Sequence, residues 1–349
     1  MTLCKISPLL SLLLGLGLLL GCSPSKPAAP QATASDTPTI AAKTAKMQLQ
    51  EGFIPFYYEE KTDKIYLRLD SPGQEIIYVN SLAAGIGSND IGLDRGQLGD
   101  TRIVKFERRG PKVLLIQPNY SYRALSENAA ERQSVEQAFA QSVLWAFPIV
   151  AEEEGRLLLD ATDFFMQDAH EVAQTLKKGK QGTYSLEKSR NAFYMPRTKN
   201  FPRNSEFEVT LTFTGTPEGA HIRSVTPTPS VVSVRQHHSF VQLPDAGYTP
   251  REFDPRAGYF GIQYYDYATP IDQPLQKRYI ARHRLQKKDP SAAMSEAVEP
   301  IVYYLDPGAP EPVRTALLEG ARWWNQAFEA AGYQNAFRVE MLPEEADPL

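Results

Sequence analysis

The last part of the sequence predicts a helix between two strands, and this arrangement limits what the chain can fold into. Strands are predicted at IVYYLD (Ile301–Asp306) and AFRVEML (Ala336–Leu342), with an amphipathic helix between them over Glu311–Ala331. Pro312 lies in the first turn of this helix, and Gly332 follows as its C-terminal cap. Parallel strands joined this way need further strands beside them. We therefore expect the start of an α/β domain, incomplete over residues 299–349, within a longer protein.

The sequence before this unit predicts a mainly antiparallel β region with a few helices, over residues 49–298. Its clearest strand is FEVTLTF (Phe207–Phe213), where apolar residues alternate with Glu208 and two threonines. The 27 prolines, 17 tyrosines and 16 phenylalanines are typical of short strands and turns. A helix is predicted within SVEQAFAQSVLWAF (Ser134–Phe147), because apolar residues recur there at helical spacing and Pro148 follows.

The start of this β region is predicted to be a hairpin. FIPFYYE (Phe53–Glu59) and KIYLRLD (Lys64–Asp70) flank a turn-like EKTD segment. Two organisations are open: one domain, or a hairpin module over residues 49–71 followed by a domain over residues 72–298.

The N-terminus predicts an export signal over residues 1–21. Lys5 precedes an uncharged run from Leu9 to Leu20, which is shorter than the ~20 apolar residues that a bilayer span needs. The run ends in LLGC (Leu19–Cys22), which resembles the lipobox of bacterial lipoproteins and makes Cys22 the predicted lipidation site. Ser23 follows and, by the same resemblance, favours the outer membrane. The alternative is an ordinary cleaved signal with a chance cysteine.

Residues 22–48 predict a disordered tether, because this segment contains almost no large apolar side chain. The only other cysteine, Cys4, lies in the signal, so no disulfide is expected after processing. The formal net charge of −4 makes a nucleic-acid partner a poor expectation.

Zinc ligands are not predicted among the residues present. The five histidines include no pair at i, i+4, so the helical H-E-x-x-H pattern is missing: His170, His221, His237, His238 and His283. The adjacent pair His237 and His238 falls in a strand-like run, whose alternation sends the two side chains to opposite faces. We interpret the histidines as solvent-facing or hydrogen-bonded residues.

Other candidates for chemistry each have a structural alternative. No G-x-S-x-G motif is present, and the glycine-rich GIGSNDIGLDRG (Gly85–Gly96) predicts a long turn because it lacks the spacing of a nucleotide-binding loop. Asp160, Asp163 and Asp168 suit acid–base work, but aspartate also caps helices and turns, and this second role is the expectation.

Two surface or core features lie further along. The basic run KRYIARHRLQKK (Lys277–Lys288) is expected to be a solvated strand face, with contact to an acidic partner or lipid headgroups as the alternative. Five aromatic residues precede it and are expected to pack in the core, with a peptide or glycan platform as the alternative: Tyr259, Phe260, Tyr264, Tyr265 and Tyr267.

Several segments together resemble bacterial zinc-dependent metalloprotease lipoproteins, in which two N-terminal domains of unknown function precede a metzincin-like catalytic domain. The segments are GLDRGQ (Gly92–Gln97), VEQAFAQSVL, LLLDATDFF, YTPREFDPRAGYF (Tyr248–Phe260), RHRLQKKDP (Arg282–Pro290) and Pro300–Phe337. The resemblance covers nearly everything after the predicted tether.

The resemblance implies a lipid-anchored zinc peptidase of the cell envelope that hydrolyses peptide bonds in peptide or protein substrates through a zinc-activated water. The H-E-x-x-H segment of that family lies beyond the matched residues, so no catalytic or metal-binding residue is assigned in this sequence. Zinc is the cofactor expected for the full-length protein, and none is expected on these residues. The alternative is a non-catalytic envelope lipoprotein that binds a peptide, glycan or protein partner.

Overall fold

The computed structural model describes residues 37–344 and residue 346 of the 349-residue chain. The predicted signal peptide, Cys22 and the first part of the predicted tether lie outside the described residues. None of the helices in the described part has the length and apolar character needed to span a bilayer.

Strands make up most of the regular structure. In chain order they are β1 Gln48–Gln50, β2 Phe56–Glu59, β3 Lys64–Leu69, β4 Glu75–Ala84, β5 Leu98–Arg109, β6 Lys112–Gln117, β7 Tyr122–Arg123, β8 Ser142–Glu153, β9 Arg156–Asp160, β10 Gly182–Leu186, β11 Ala192–Phe193, β12 Lys199–Asn200, β13 Asn204–Pro217, β14 Val231–Gln242, β15 Gly261–Asp266, β16 Gln276–Ile280, β17 Ser295–Glu296, β18 Ile301–Leu305, β19 Tyr333–Gln334 and β20 Phe337–Met341. The helices are α1 Ile40–Thr44, α2 Ala129–Ala138, α3 Thr162–Phe165, α4 Val172–Lys178, α5 Ala220–Val225, α6 Val313–Arg322 and α7 Trp324–Ala330.

A thirteen-stranded sheet forms the main body, in the order β1-β2-β3-β9-β8-β6-β5-β4-β14-β13-β10, with β11 and β12 also paired to β13. The pairings within it are antiparallel, which confirms the predicted fold class. The hairpin of β2 and β3 joins this sheet through the pairing of β3 with β9. A smaller sheet contains β16, β15 and β7.

The core lies under one face of the large sheet and is rich in phenylalanine. Phe207 of β13 is fully buried and stacks on Phe165 of α3 with 4.2 Å between ring centroids. Phe164, which precedes Phe165, lies with its ring centroid 5.2 Å from that of Phe147 in β8. Each such ring contributes roughly 1.5–3 kcal/mol when it is fully buried. The short helix α3 therefore closes the core against the sheet.

The helix predicted within residues 134–147 is wrong over its second half. Helix α2 ends at Ala138, and the chain from Ser142 is strand β8. Pro148 does not end a helix but lies inside this strand. It is opposite Lys112 and is the last residue of β8 to pair with β6, because pairing with β9 begins at Ile149. Pairing of residues 142–148 with β6 therefore outweighs the helical spacing of the apolar residues there.

Residues 37–48 of the predicted tether are part of the folded body. Helix α1 lies inside that range, and its Ile40 is buried against Tyr66, Ala151 and Leu158. The α1 N-terminus is capped by Thr39, whose hydroxyl accepts a hydrogen bond from the Ala42 N–H.

The last part of the chain forms the predicted strand–helix–strand unit. Strands β18 and β20 pair in parallel, with Ile301 opposite Phe337. The helix predicted over residues 311–331 is interrupted at Trp323, which separates α6 from α7. Gly320 shortly before this point weakens the helix, since glycine is a poor helix former. Gly332 has a φ of +85° and ends α7, as predicted.

Candidate functional site

The outer face of the large sheet, opposite the phenylalanine core, carries buried charged side chains. Alternation along β13 places Phe207 in the core and Glu206 and Glu208 on the outer face. On the neighbouring strand β14, His237 pairs with Glu208 in the sheet register, so its side chain lies on the same face. Glu206, Glu208 and His237 are all buried, although strands β11 and β12 pair beside β13 within the sheet.

His237 lies between the two carboxylates. Its Nε2 atom is 2.8 Å from Glu206 Oε2, and its Nδ1 atom is 3.2 Å from Glu208 Oε2. Glu206 also accepts hydrogen bonds from Ser239 and from the amide of Asn204. Both imidazole nitrogens can donate at once only when the ring is protonated, so the arrangement fits an imidazolium ion.

Two arginines lie near the second carboxylate. The Nε atoms of Arg197 and Arg235 are 3.5 Å and 3.4 Å from Glu208 oxygens. The Arg235 guanidinium also lies over the Tyr194 ring, 4.4 Å from its centroid. The cluster of Glu206, Glu208 and His237 is thus surrounded by compensating charges, as buried ions require.

The pKa values of the cluster move in opposite directions. Burial lowers the pKa of His237, but the hydrogen bonds to Glu206 and Glu208 outweigh burial, and the pKa is raised above 6.5. Burial raises the pKa of Glu206, but hydrogen bonds from His237, Ser239 and Asn204 outweigh it, and the pKa is held below 4.5. Both shifts favour the charged pair.

His238 points to the opposite face, as the alternation predicted. Its ring lies in the core, with Nδ1 2.9 Å from the Tyr78 hydroxyl and Nε2 3.1 Å from the Phe165 carbonyl oxygen. Burial lowers the pKa of His238 to about 3, so the ring is neutral. The two adjacent histidines share no ligand position. Both are hydrogen-bonded, but neither is solvent-facing.

A groove of about 830 Å³ opens on the same outer face, toward the other end of the sheet. One wall is the segment Pro118–Leu125, which includes β7, and the other wall is helix α2 with the residues that follow it. Tyr120 donates a short hydrogen bond to Glu75 at the floor, and burial together with this bond raises the pKa of Tyr120 to about 12. We call this cavity the α2 groove.

Stacked rings line one end of the α2 groove. Tyr122 lies parallel to Phe139 with 3.9 Å between centroids, and Tyr265 stacks on it at 5.5 Å. Arg123 lies 5.0 Å from the Tyr120 ring centroid and 4.3 Å from that of Tyr264. These contacts fix the positions of β7 and of the hairpin formed by β15 and β16.

The aromatic residues predicted to pack in the core are mostly on the surface. Phe260 is 88% exposed, and Tyr259, Tyr265 and Tyr267 are exposed as well. Only Tyr264 is half-buried, stacked on Tyr279. The prediction was wrong because β15 belongs to the small three-stranded sheet, and none of the five residues joins the phenylalanine core.

Asp160 and Asp168 take the structural roles expected of them. Asp168 accepts hydrogen bonds from the N–H groups of Val172 and Ala173 at the start of α4. Asp160 accepts from the Thr162 N–H before α3 and pairs with Lys64. Asp163 is exposed. The three side chains serve different elements and form no shared site.

The glycine-rich segment forms the predicted turn, with positive φ at Gly87, Gly92 and Gly96. The basic run after β15 is only partly strand, because β16 ends at Ile280 and irregular chain follows. Within residues 37–344, no three histidine, aspartate or glutamate side chains are grouped as a metal ion would require. The predicted lipidation site, Cys22, falls outside the described part of the chain.

Sequence reasoning missed two features. The cluster around His237 depends on the register between β13 and β14, which alternation alone does not specify. The α2 groove depends on the chain returning from β15 to pair with β7 in parallel, a contact between residues far apart in sequence. The one sequence signal for the cluster was Glu208, which lies between the core residues Phe207 and Val209.

Comparison with known proteins gives one match. Searches of curated proteins and of solved structures returned no significant similarity. The family described as Domain of unknown function (DUF5117) matches residues 96–288, more than half of the chain. The matched range contains the cluster around His237 and the lining of the α2 groove except for Glu75. The chain belongs to the DUF5117 family.

Proposed function

We propose that this chain is the N-terminal portion of an exported, lipid-anchored zinc metallopeptidase. The supporting observation is the strand–helix–strand unit, which leaves an apolar groove of about 500 Å³ uncovered between β18, β20 and the two helices. Tyr304 and Trp324 line this groove and are 54% and 64% exposed. An exposed apolar surface of this kind is typical of a face that another part of a protein covers.

The parallel pairing of β18 and β20 supports the same proposal. Parallel sheets are found with both faces covered and with several strands. Here two strands are packed on one side by α6 and α7, and Arg322 donates from its Nε to the Val339 carbonyl oxygen to hold α6 on β20. Further strands and a second covering layer would complete an α/β domain of the metzincin-like kind that the segment resemblance implies.

Zinc would be the cofactor of the full-length protein. The residues present do not offer a ligand set for it, since the sequence has no H-E-x-x-H pattern and the described histidines are separated or engaged in other hydrogen bonds. The ligands would therefore belong to the part of the protein that completes the α/β domain. In this chain we assign no residue to the hydrolytic step.

The β-rich region would serve the peptidase by holding it at the cell envelope and by shaping access of peptide or protein substrates. Cys22 would carry the lipid that anchors the chain, most simply at the outer membrane. The buried charges around His237 would contribute a rigid body rather than a reacting group, because Glu206, Glu208 and His237 have almost no contact with solvent.

The reading frame that follows Leu349 tests this proposal. An in-frame H-E-x-x-H followed by a further histidine is the expected result. The expressed longer protein should then bind zinc and cleave an unfolded polypeptide in a chelator-sensitive way. A stop codon directly after Leu349 in the natural gene would contradict it.

A second candidate function is a non-catalytic envelope protein that binds a partner. The exposed aromatic and aliphatic side chains of the small sheet favour it, because Phe260 and Ile262 are 88% and 58% exposed and have no cover in the described structure. Loss of partner capture in a Phe260→Ser variant, with no zinc-dependent hydrolysis in any longer form, would support this candidate instead.

A further inference from the structure

The α2 groove exposes one edge of a strand that is paired only on its other side. Strand β7 pairs in parallel with β15, and the Tyr265 N–H donates to Ser121 O while the Tyr267 N–H donates to Arg123 O. In a parallel ladder, alternate residues direct their backbone groups to opposite sides. Tyr122 and Ala124 therefore direct their N–H and C=O groups away from β15, toward the groove.

Ala124 is the informative residue of this edge. It is only 9% exposed and it lines the groove. Among residues 37–344, no backbone or side-chain hydrogen bond reaches its N–H or its carbonyl oxygen, although its neighbours Arg123 and Leu125 both have partners. Nearly all buried backbone groups in proteins are paired, so this peptide group is open to a hydrogen bond from a molecule that occupies the groove.

The size and walls of the groove fit a ligand. Its volume of about 830 Å³ falls within the range of clefts that bind small ligands and peptides. The opposite wall presents the amide side chains of Gln133, Gln137 and Gln141, which can both donate to and accept from peptide groups.

We propose that the α2 groove binds an extended peptide segment, which adds as a strand to the free edge of β7. Main-chain hydrogen bonds to Tyr122 and Ala124 supply the affinity, and the glutamine amides contact the far side of the bound strand. Strand addition of this type is a general mode of peptide recognition. The proposal goes beyond the proposed function, because the binding needs neither zinc nor hydrolysis.

A glycan fits the groove less well than a peptide. Sugar rings are bound by stacking on free aromatic faces, but Tyr122 already stacks against Phe139 at 3.9 Å and against Tyr265 at 5.5 Å. The open hydrogen-bonding capacity in the groove is that of a strand edge, which an extended backbone complements.

The test uses the full chain and two matched tryptophan variants. Ala140 lines the groove and its side chain is exposed, so Ala140→Trp fills the cavity without disturbing the core. Ala138 is also exposed, lies two residues earlier and does not line the groove, so Ala138→Trp is the control. The probe is fluorescein-labelled, reduced and carboxymethylated α-lactalbumin, a permanently unfolded polypeptide, and binding is measured by fluorescence anisotropy.

The wild-type chain and Ala138→Trp should bind the probe equally, and Ala140→Trp should bind about tenfold more weakly, equivalent to ~1.4 kcal/mol. The Ala124 amide should exchange with solvent more slowly when the probe is bound. The proposal is overturned if the wild-type chain does not bind the probe, if the two variants bind alike, or if the oligosaccharide chitohexaose displaces the probe.

This test and the test of the proposed function fail separately. Binding that depends on Ala140 in a protein whose longer form shows no zinc-dependent hydrolysis would retain the groove and reject the peptidase. Conversely, the peptidase would be retained and the groove rejected if hydrolysis were chelator-sensitive and unchanged by Ala140→Trp while the chain did not bind the probe.

Discussion

The Nε2 atom of His237 lies 2.8 Å from Glu206 Oε2, across the pairing of β14 with β13, and both side chains are buried. Replacement of His237 by glutamine removes the positive charge between two buried carboxylates. We expect a loss of about 3–5 kcal/mol in the free energy of unfolding, because an uncompensated buried charge remains. Urea denaturation of the variant at neutral pH measures this loss.

The control for this substitution is His283→Gln. His283 is exposed, so the change should stay within about 0.5 kcal/mol of wild type. Equal stabilities of the His237→Gln and His283→Gln variants would show that the cluster does not hold charged groups.

The cluster also predicts a defined pH dependence. The pKa of His237 is raised above 6.5, so its contribution is fully present below about pH 6.5 and is lost as pH rises through the folded-state pKa. The pKa of Glu206 is held below 4.5, so its contribution is present above about pH 4.5 and is lost as pH falls through the folded-state pKa. The stability difference between wild type and Glu206→Gln should therefore be largest between these two values.

The difference between variants is the correct measurement, because His238 acts in the opposite sense. Its pKa of about 3 means that the unfolded chain binds a proton more readily, so total stability falls as pH drops below about 6.5. Urea midpoints of wild type and Glu206→Gln at several pH values separate the two effects. A difference that does not vary with pH would reject the charged pair.

Helix α4 gives a test with a built-in control. Asp168 caps this helix through bonds of 2.8 Å and 3.0 Å to the N–H groups of Val172 and Ala173. Asp168→Ala should lower stability by about 1–2 kcal/mol, the usual cost of losing such a cap. Asp163 forms a solvent-exposed ion pair with Lys188, with 3.5 Å between Oδ1 and Nζ. Such surface pairs contribute little to stability, so Asp163→Ala should have almost no effect on the thermal midpoint. Similar losses in both variants would show that Asp168 has no capping role.

The uncovered groove of the strand–helix–strand unit should bind a hydrophobic dye. Trp324 lines this groove, whereas the equally exposed Trp323 does not. Trp324→Gln should weaken binding of the dye roughly fivefold, since loss of the indole contact removes ~1 kcal/mol. Trp323→Gln should leave the affinity unchanged. Fluorescence titration compares them, and equal affinities for the two variants would place the dye elsewhere.

Local patterns were sufficient to predict several elements. The alternation in Phe207–Phe213 correctly separated the core face from the outer face of β13. The helical spacing after Pro312 and the glycine at 332 predicted helical chain between parallel strands and its end, but not the interruption at Trp323. In β13, the apolar residues that favour a strand locally are also those that the fold buries.

Features that depend on distant pairing were not predictable from one sequence. Residues 142–147 have helical spacing but pair as a strand with β6, and Pro148 is tolerated where the strand changes partner. The exposure of Phe260 and Tyr267 follows from the position of β15 in a small sheet, which composition does not reveal. Likewise, the partners of His237 follow from strand register.

Zinc content measured on two purified forms tests the central proposal most directly. Residues 1–349 alone should contain no stoichiometric zinc, and the protein expressed from the complete reading frame should contain it and lose peptide hydrolysis on treatment with a chelator. Stoichiometric zinc and chelator-sensitive hydrolysis in the 349-residue chain would contradict the proposal, as would a complete reading frame whose product binds no zinc.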